Sequence, residues 1–270
     1  MSEILELLSN NDTAFSKIKL LSGQSIQYKG WNVESEKNFL YAIDGINKEN
    51  DELVTNEVIK LMGTSVDAKE KLKDLSKNDL LYLLYEMRLK AKGNKIEMSY
   101  RCTNQECPTW MKLPKKQAEK MGIEGIGREL LTETIILDKD VVTKPLDQTP
   151  IVIRDNLKLY PKEVSFEIQR VLENKYIKGD EETAELQKFK WEFMINSIKG
   201  VEFGDKKEDN LDKTYVEKIL FRLEPKERDL LETELGERIS QFKLNKKGKC
   251  NGCGKESNLV PSDMFRFLVF

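Results

Sequence analysis

The sequence predicts an α+β fold, with a helical N-terminal region and C-terminal helices around a small, mostly antiparallel sheet. Three observations predict it. Apolar residues recur at three-to-four spacing through the first ninety residues and again from Lys162 onward, the period of amphipathic helices. They alternate over short runs in between, the period of half-buried strands. All four cysteines fall in two tight pairs, "RCTNQECP" (101–108) and "KCNGCGKE" (249–256). The expected organisation is a helical region over 1–94 and a strand-rich region over 95–161 that carries the first cysteine arm. A helical region over 162–242 follows. Residues 243–270 then hold the second arm and an aromatic end that packs back on 95–110.

Near the N-terminus, "SEILELLSN" (2–10) is a short amphipathic helix candidate, and "GQSIQYKGWNV" (23–33) reads as extended. "SEKNFLYAID" (35–44) starts a helix with Ser35 as its N-cap. "DELVTNEVIKLMG" (51–63) sets Leu53, Val58, Ile59 and Leu61 near one stripe and ends at Gly63. The clearest element is "LSKNDLLYLLYEMRLKAKGN" (75–94). Ser76 caps its first turn and Asp79 suits the positive helix end. Leu80, Leu81, Leu84, Met87 and Leu89 make its apolar face, lysines and Arg88 crowd the last turns, and Gly93 supplies the stop.

"KIEMSYRC" (95–102) alternates Ile96, Met98, Tyr100 and Cys102 against polar residues, so a strand delivers the first cysteine. A polar connection, "MKLPKKQAEKMGIEGIG" (111–127), follows the first pair. "TETIIL" (132–137) and "PIVIRDNLKLY" (150–160) are strand-like, the second a hairpin turning at Asp155-Asn156. "EVSFEIQRVLENKY" (163–176), "ELQKFKWEFMINSIKG" (185–200) and "TYVEKILFRL" (214–223) read as helices, with "VEFGDKKEDNLD" (201–212) as a hydrophilic break. "PKERDLLETELGERISQF" (225–242) is a last long helix with proline in its first turn. Two short strands around a knuckle account for "KLNKKGKCNGCGKESNLVP" (243–261). The chain then runs into "MFRFLVF" (264–270), whose aromatics Phe265, Phe267 and Phe270 either complete the core or dock on a partner.

Composition narrows the function. No run of about 18 apolar residues occurs, so no membrane span is expected. "MSEILELLSNND" has acidic residues where a secretory leader has basic ones, which points to a reducing cytoplasm. With 45 basic and 47 acidic residues and a net charge of −2, no large field attracts a phosphate backbone. Histidine is absent, which removes histidine bases, histidine-activated nucleophiles and histidine metal ligands. No phosphate-binding loop, dinucleotide fingerprint or metalloprotease motif occurs. Glu192, between Trp191 and Phe193, stands alone rather than in an acid–base couple. No catalytic residue is assigned and no small-molecule substrate is expected.

The cysteines point to a structural metal. Cys250 and Cys253 form a two-spacer arm whose Gly252 and Gly254 allow a tight turn with N–H groups aimed at sulfur. Cys102 and Cys107 form a wider four-spacer arm. Four thiolates on two arms satisfy tetrahedral zinc, whatever their separation along the chain, and leave no open position for catalysis. Closing a loop of about 140 residues costs roughly 4–5 kcal/mol, against about 10–16 kcal/mol returned by structural zinc. The competing readings are unliganded core cysteines, disulfides, and a redox pair at Cys250 and Cys253. The favoured expectation is a split four-cysteine zinc ribbon. Lys243, Lys246, Lys247, Lys249 and Lys255 around the second arm either offset a four-thiolate centre or, with Trp110, touch nucleic acid.

This order of features resembles the T-even-type bacteriophage baseplate protein family, the hub assembly proteins of contractile tails. The resemblance rests on "NDLLYLLYEMRLKAKGNKIEMSYRC" (78–102) and on a second Cys-x-x-Cys before an aromatic-rich end. Its positions are Asp79, Tyr82-Leu83-Leu84, Arg88, Gly93 and the four cysteines; the wide first arm departs from the family's usual two-spacer form. What it implies is a non-enzymatic hub component or assembly chaperone that contacts other baseplate or tail proteins. It would work in the host cytoplasm during assembly and then in the virion tail. The alternative is a zinc-ribbon nucleic-acid-binding or transcription accessory protein.

Overall fold

A computed structural model describes residues 14–44, 46, 51–102, 104, 107, 110–111, 127–128, 130–177, 183–261 and 263–270. The expected 2–10 helix, nearly all of the 111–127 connection and the side chain of Trp110 lie outside that set.

The first strand is one the sequence reading left out, while the second falls in the 23–33 stretch read as extended. β1 (Ser16–Lys19) and β2 (Ser25–Tyr28) form an antiparallel hairpin. In β2, Ile26 and Tyr28 are buried while Ser25 and Gln27 face out, the alternation a half-buried strand requires. The N-terminal region is therefore not wholly helical. α1 (Val33–Asp44) comes next. Its cap is Asn32 rather than Ser35: the Asn32 carboxamide oxygen accepts the Ser35 N–H at 2.8 Å. α2 (Asp51–Gly63) buries Val54, Val58, Leu61 and Met62. The expected stripe was turned by one position, since Leu53 is 46% exposed.

A 3₁₀ turn (Lys69–Asp74) leads into α3 (Lys77–Ala91). The Ser76 hydroxyl accepts the Asp79 N–H at 3.1 Å, and Gly93 takes φ +82° past the helix end. Leu80, Leu81, Leu83, Leu84 and Met87 are buried. Arg88 is buried, and its guanidinium donates to the carbonyls of Leu268 (3.2 Å), Val269 (3.4 Å) and Lys95 (3.2 Å).

β3 (Lys95–Arg101) pairs antiparallel with β6 (Leu130–Ile136) over seven residue pairs, and β4 (Trp110–Met111) with β5 (Gly127–Arg128). The single turn α4 (Leu137–Asp140) delivers the chain to β7 (Val141–Lys144). The predicted hairpin follows as β8 (Ile151–Arg154) and β9 (Leu157–Pro161), turning at Asp155-Asn156. α5 (Phe166–Tyr176) is capped by Ser165.

α6 (Thr183–Asn196) ends before "SIKG", and the expected hydrophilic break is a second hairpin. β10 (Ile198–Phe203) and β11 (Lys206–Asp209) meet at a turn where Gly204 holds φ +59°. At Gly200 a Cβ would lie 2.8 Å from the Glu208 carbonyl oxygen, so only glycine allows the strands this close. Every residue of β11 is exposed. A charged sequence there guards a sheet edge, which is why it reads as a loop. α7 (Lys213–Leu220) is capped by Asp212. α8 (Pro225–Arg238) starts with proline and a Glu224–Glu227 capping box, and stops earlier than expected. Its supposed last turn is β12 (Gln241–Leu244), paired with β7. β13 (Lys247–Lys249), β14 (Glu256–Asn258) and α9 (Met264–Val269) complete the chain.

In place of one small sheet, the described residues form a four-stranded antiparallel sheet, ordered β11-β10-β9-β8, and five two-stranded ladders. There are two main cores. One is drawn from residues 151–235: Ile151, Leu159, Ile198, Leu220 and Leu231 lie at its centre, with α6, α7 and α8 packed by the sheet. The other gathers both ends of the chain, from Leu20 through Leu137 and again from Phe242 to Val269. The aromatic terminus joins this second core by lying on α2 and α3. Phe265 meets Phe166 with ring centroids 5.5 Å apart, and Phe270 meets Phe39 at 5.9 Å.

Candidate metal centre

A third, small cluster contains Cys102, Cys107, Cys250, Leu131, Tyr100 and Cys253. Strand alternation builds its first half. β3 carries Ile96, Met98 and Tyr100 on one face, and the next residue in that period is Cys102, which is buried. Beyond it the chain turns back on itself. The Asn104 N–H points at the Cys102 sulfur (3.4 Å), and the Cys107 N–H donates to the Asn104 carbonyl (3.2 Å). Cys107 is thereby held beside Cys102.

The second half is the β13–β14 hairpin, in register Lys247↔Asn258 to Lys249↔Glu256, with the knuckle at its tip. The Cys250 N–H donates to the Lys255 carbonyl (3.0 Å) and the Gly254 N–H to the Cys250 carbonyl (2.8 Å). Gly254 takes φ +72°, a conformation costly for other residues. Gly252 does not share that requirement; its N–H instead supports the Cys250 sulfur. Tyr100 locks the halves together, its hydroxyl donating to the Lys249 carbonyl at 3.0 Å. Gly248 makes room for that ring, since a Cβ there would sit 2.5 Å from Tyr100 Cζ.

Cys102 Sγ lies 3.7 Å from Cys253 Sγ, and Cys107 Sγ 3.4 Å from Cys250 Sγ. All four sulfurs fall within 4.8 Å of one another, and none is in a disulfide. A tetrahedron of sulfurs about 2.3 Å from zinc has edges of about 3.8 Å. The donor set and its spacing therefore fit a four-thiolate metal. Three of the cysteines are buried and Cys253 is half-buried. The electrostatics point the same way. The Cys253 N–H, with the Gly252 N–H, draws the Cys250 thiol down to about 6, and the Lys255 N–H lowers Cys253. At Cys102 the Asn104 N–H favours the thiolate, but burial and the neighbouring sulfurs outweigh it and push the thiol up to about 11. The knuckle thus favours thiolates and Cys102 the thiol, and a bound divalent cation would favour ligand thiolates.

Of the five lysines around the second arm, two are tied to carboxylates: Lys246 to Asp140 (3.5 Å) and Lys247 to Glu256 (3.7 Å). Glu192 is not isolated; it pairs with Lys213 at 2.6 Å. Of the terminal aromatics, Phe265 is buried, Phe267 half-buried and Phe270 50% exposed. No described helix is long and apolar enough to cross a membrane. Sequence reasoning did not anticipate Tyr100 and Leu131 as the walls of the centre. The only signal available was the alternation that puts Tyr100 on the face of Cys102.

The family model described as "T4 bacteriophage base plate protein" matches residues 13–269, nearly the whole chain. No curated protein and no solved structure matches it.

Proposed function

The chain belongs to the family of T4 bacteriophage base plate proteins, and from that premise we propose that it is a non-enzymatic hub component or hub-assembly chaperone of a contractile tail, held in shape by one structural zinc. The family match over 13–269 carries the baseplate part of this reading. The convergence of Cys102, Cys107, Cys250 and Cys253 within 4.8 Å supports the zinc. These four side chains would hold the ion, and what it supplies is a fixed joint between segments 143 positions apart. No open coordination position is left for a reacting molecule.

The protein acts through contacts with other baseplate or tail proteins. Phe270, half exposed beside α1, is the terminal aromatic that reaches a partner; Phe265 and Phe267 hold α9 in place. The protein is made and assembled in the host cytoplasm and resides in the tail baseplate.

The test is to purify the protein with its native partners and measure bound metal in the same sample. About one zinc per chain, together with co-elution of tail proteins, supports the reading. A metal-free, fully folded protein would overturn the zinc assignment. Absence from tail assemblies would overturn the baseplate role, and tight, steeply salt-dependent binding to DNA would favour the nucleic-acid alternative.

A further inference from the structure

A cavity of about 400 Å³ lies where the two main cores meet. The β1–β2 turn, the first turn of α3, the β9–α5 link and the end of α6 all reach it. Its wall includes Asp79, which is 0% exposed. Asp79 Oδ1 accepts the Ser22 N–H at 2.9 Å, while Oδ2 has no hydrogen-bond partner among the described residues. A second carboxylate, Glu163, shares the wall and is half-buried. Its Oε1 accepts the Ser240 N–H at 2.8 Å. Ser240 is itself 0% exposed, and its hydroxyl lies beside Glu163. The Asn78 carboxamide donates to the Ser240 carbonyl at 2.7 Å, which ties the start of α3 to the α8–β12 link.

The two carboxylates carry charge that nothing nearby offsets. Neither is in an ion pair among the described residues. Of the lysines in the same wall, Lys199 donates to Gln148 Oε1 at 3.4 Å and Lys162 is exposed, as is the third acid, Asp74. The charge of Asp79 is felt at Glu163, whose carboxyl it raises on top of the effect of burial. A water at Oδ2 would satisfy a lone pair and leave both charges uncompensated.

We propose that Asp79 and Glu163 together bind one hard divalent cation, magnesium or calcium, at the junction of the two cores. The donors that converge are all oxygens, two carboxylates with the Ser240 hydroxyl beside them, the set hard cations take in preference to thiolates. Two carboxylates match the charge of a divalent ion. Each is oriented through one oxygen by a backbone N–H, from Ser22 or Ser240, which leaves its second oxygen for the ion. The cavity has room for the waters that complete such a coordination shell. Glu163 and Ser240 lie on two of the links between the cores, so the ion joins both links to α3. The site is separate from the cysteine cluster in residues and in donor chemistry.

The test titrates the full chain, dialysed into buffer without added divalent cations, with magnesium chloride and separately with calcium chloride, in a calorimeter. One ion binds per chain, and Asp79→Asn and Glu163→Gln each weaken it at least about tenfold. Both variants keep an oxygen for the N–H that orients the native side chain. Thermal melting gives a second reading. Without the ion, Asp79→Asn is the more stable protein, because it buries no charge. Saturating cation raises the melting temperature of the wild type and leaves that of the variant in place. Whichever ion binds the more tightly identifies the occupant. No saturable binding of either ion, or binding unchanged in both variants, overturns the proposal. So does a melting shift that sodium chloride of equal ionic strength reproduces, which is screening alone. An Asp79 carboxyl that NMR finds protonated at pH 7 in saturating cation also overturns it, since a proton then holds the ion's place.

Discussion

The two main cores are alike in chemistry and opposite in connectivity. One lies within residues 151–235, a single unbroken stretch of chain. The other joins residues 20–137 to residues 242–269 and must bring together segments separated by the whole of the first. The four thiols form a third cluster, and its two arms come from the same two stretches of chain as the second core. The difference teaches where a covalent-strength staple is useful. Loop closure opposes the second core by roughly 4–5 kcal/mol for a separation of about 140 residues, only about 0.5 kcal/mol more than a span of about 80 residues, so the two cores differ in whether the joined stretches are contiguous rather than in closure cost.

The sharpest way to break this comparison is to remove the proposed metal. If zinc is bound, chelation or Cys250→Ser takes away an interaction of about 10–16 kcal/mol. Amides of β3, β6 and α9 should then exchange rapidly, while those of β8, β9 and β10 stay protected in hydrogen-exchange measurements. Uniform loss of protection would show that the two cores do not separate. The converse change is Leu159→Ala. Leu159 is fully buried in the contiguous core, and its truncation should cost about 2–5 kcal/mol. Zinc affinity, measured by competition with a chromophoric chelator, should not change.

A smaller effect is expected at the joint itself. Gly248→Ala drives a methyl group into the Tyr100 ring and should destabilise the chain-end core by about 1–3 kcal/mol. Tyr100→Leu in the same background should recover part of that loss in urea melts, because the clash goes with the ring.

The smallest effect concerns protons. In the contiguous lobe the hydrogen bond from Lys158 holds Glu202 below the usual carboxylate range, and Arg154 does the same for Glu227. Their contribution is present above the ordinary carboxylate value and is lost as pH falls through the depressed one. Asp79 and Glu163, near the junction of the lobes, behave oppositely. Burial raises both, and the Asp79 charge raises Glu163 further. A carboxyl with a raised folded-state value binds more protons when folded, so its ionisation destabilises the fold as pH rises. Asp79→Asn keeps an oxygen to accept the Ser22 N–H, which lies 2.9 Å from the Asp79 carboxylate. It should be the more stable protein at pH 7, with the gap closing toward about pH 4, near the ordinary aspartate value. Comparing both proteins at each pH cancels any loss of metal. A constant gap would refute the burial argument.

Elements with a strong single period were legible in the sequence: α2, α3, α5, α7 and the β8–β9 hairpin. So was the pairing of the cysteine arms, because ligand spacing is local chemistry. The failures share a cause. At "SIKG" the run Met194, Ile195, Ile198 imitates helical spacing, and only the sheet edge formed by β9 makes Ile198 onward a strand. β12 was hidden in the tail of α8 because its partner, β7, lies about a hundred residues back, a pairing that local propensity does not encode. The burial of Arg88 was not legible, because sequence carries no sign of the carbonyls of Leu268 and Val269 that receive it.

The β7–β12 ladder has a further consequence. Lys144 and Gln241 face each other across it, so the polypeptide departs and comes home on adjacent rungs. Everything between them is, topologically, a guest threaded through one doorway. A short reverse turn spliced across that doorway would leave a miniature host, lacking Phe166 from its interior, whose folding would depend on its metal far more than the parent's does. The excised guest, its own termini side by side, is the natural cassette for transplantation or circular permutation.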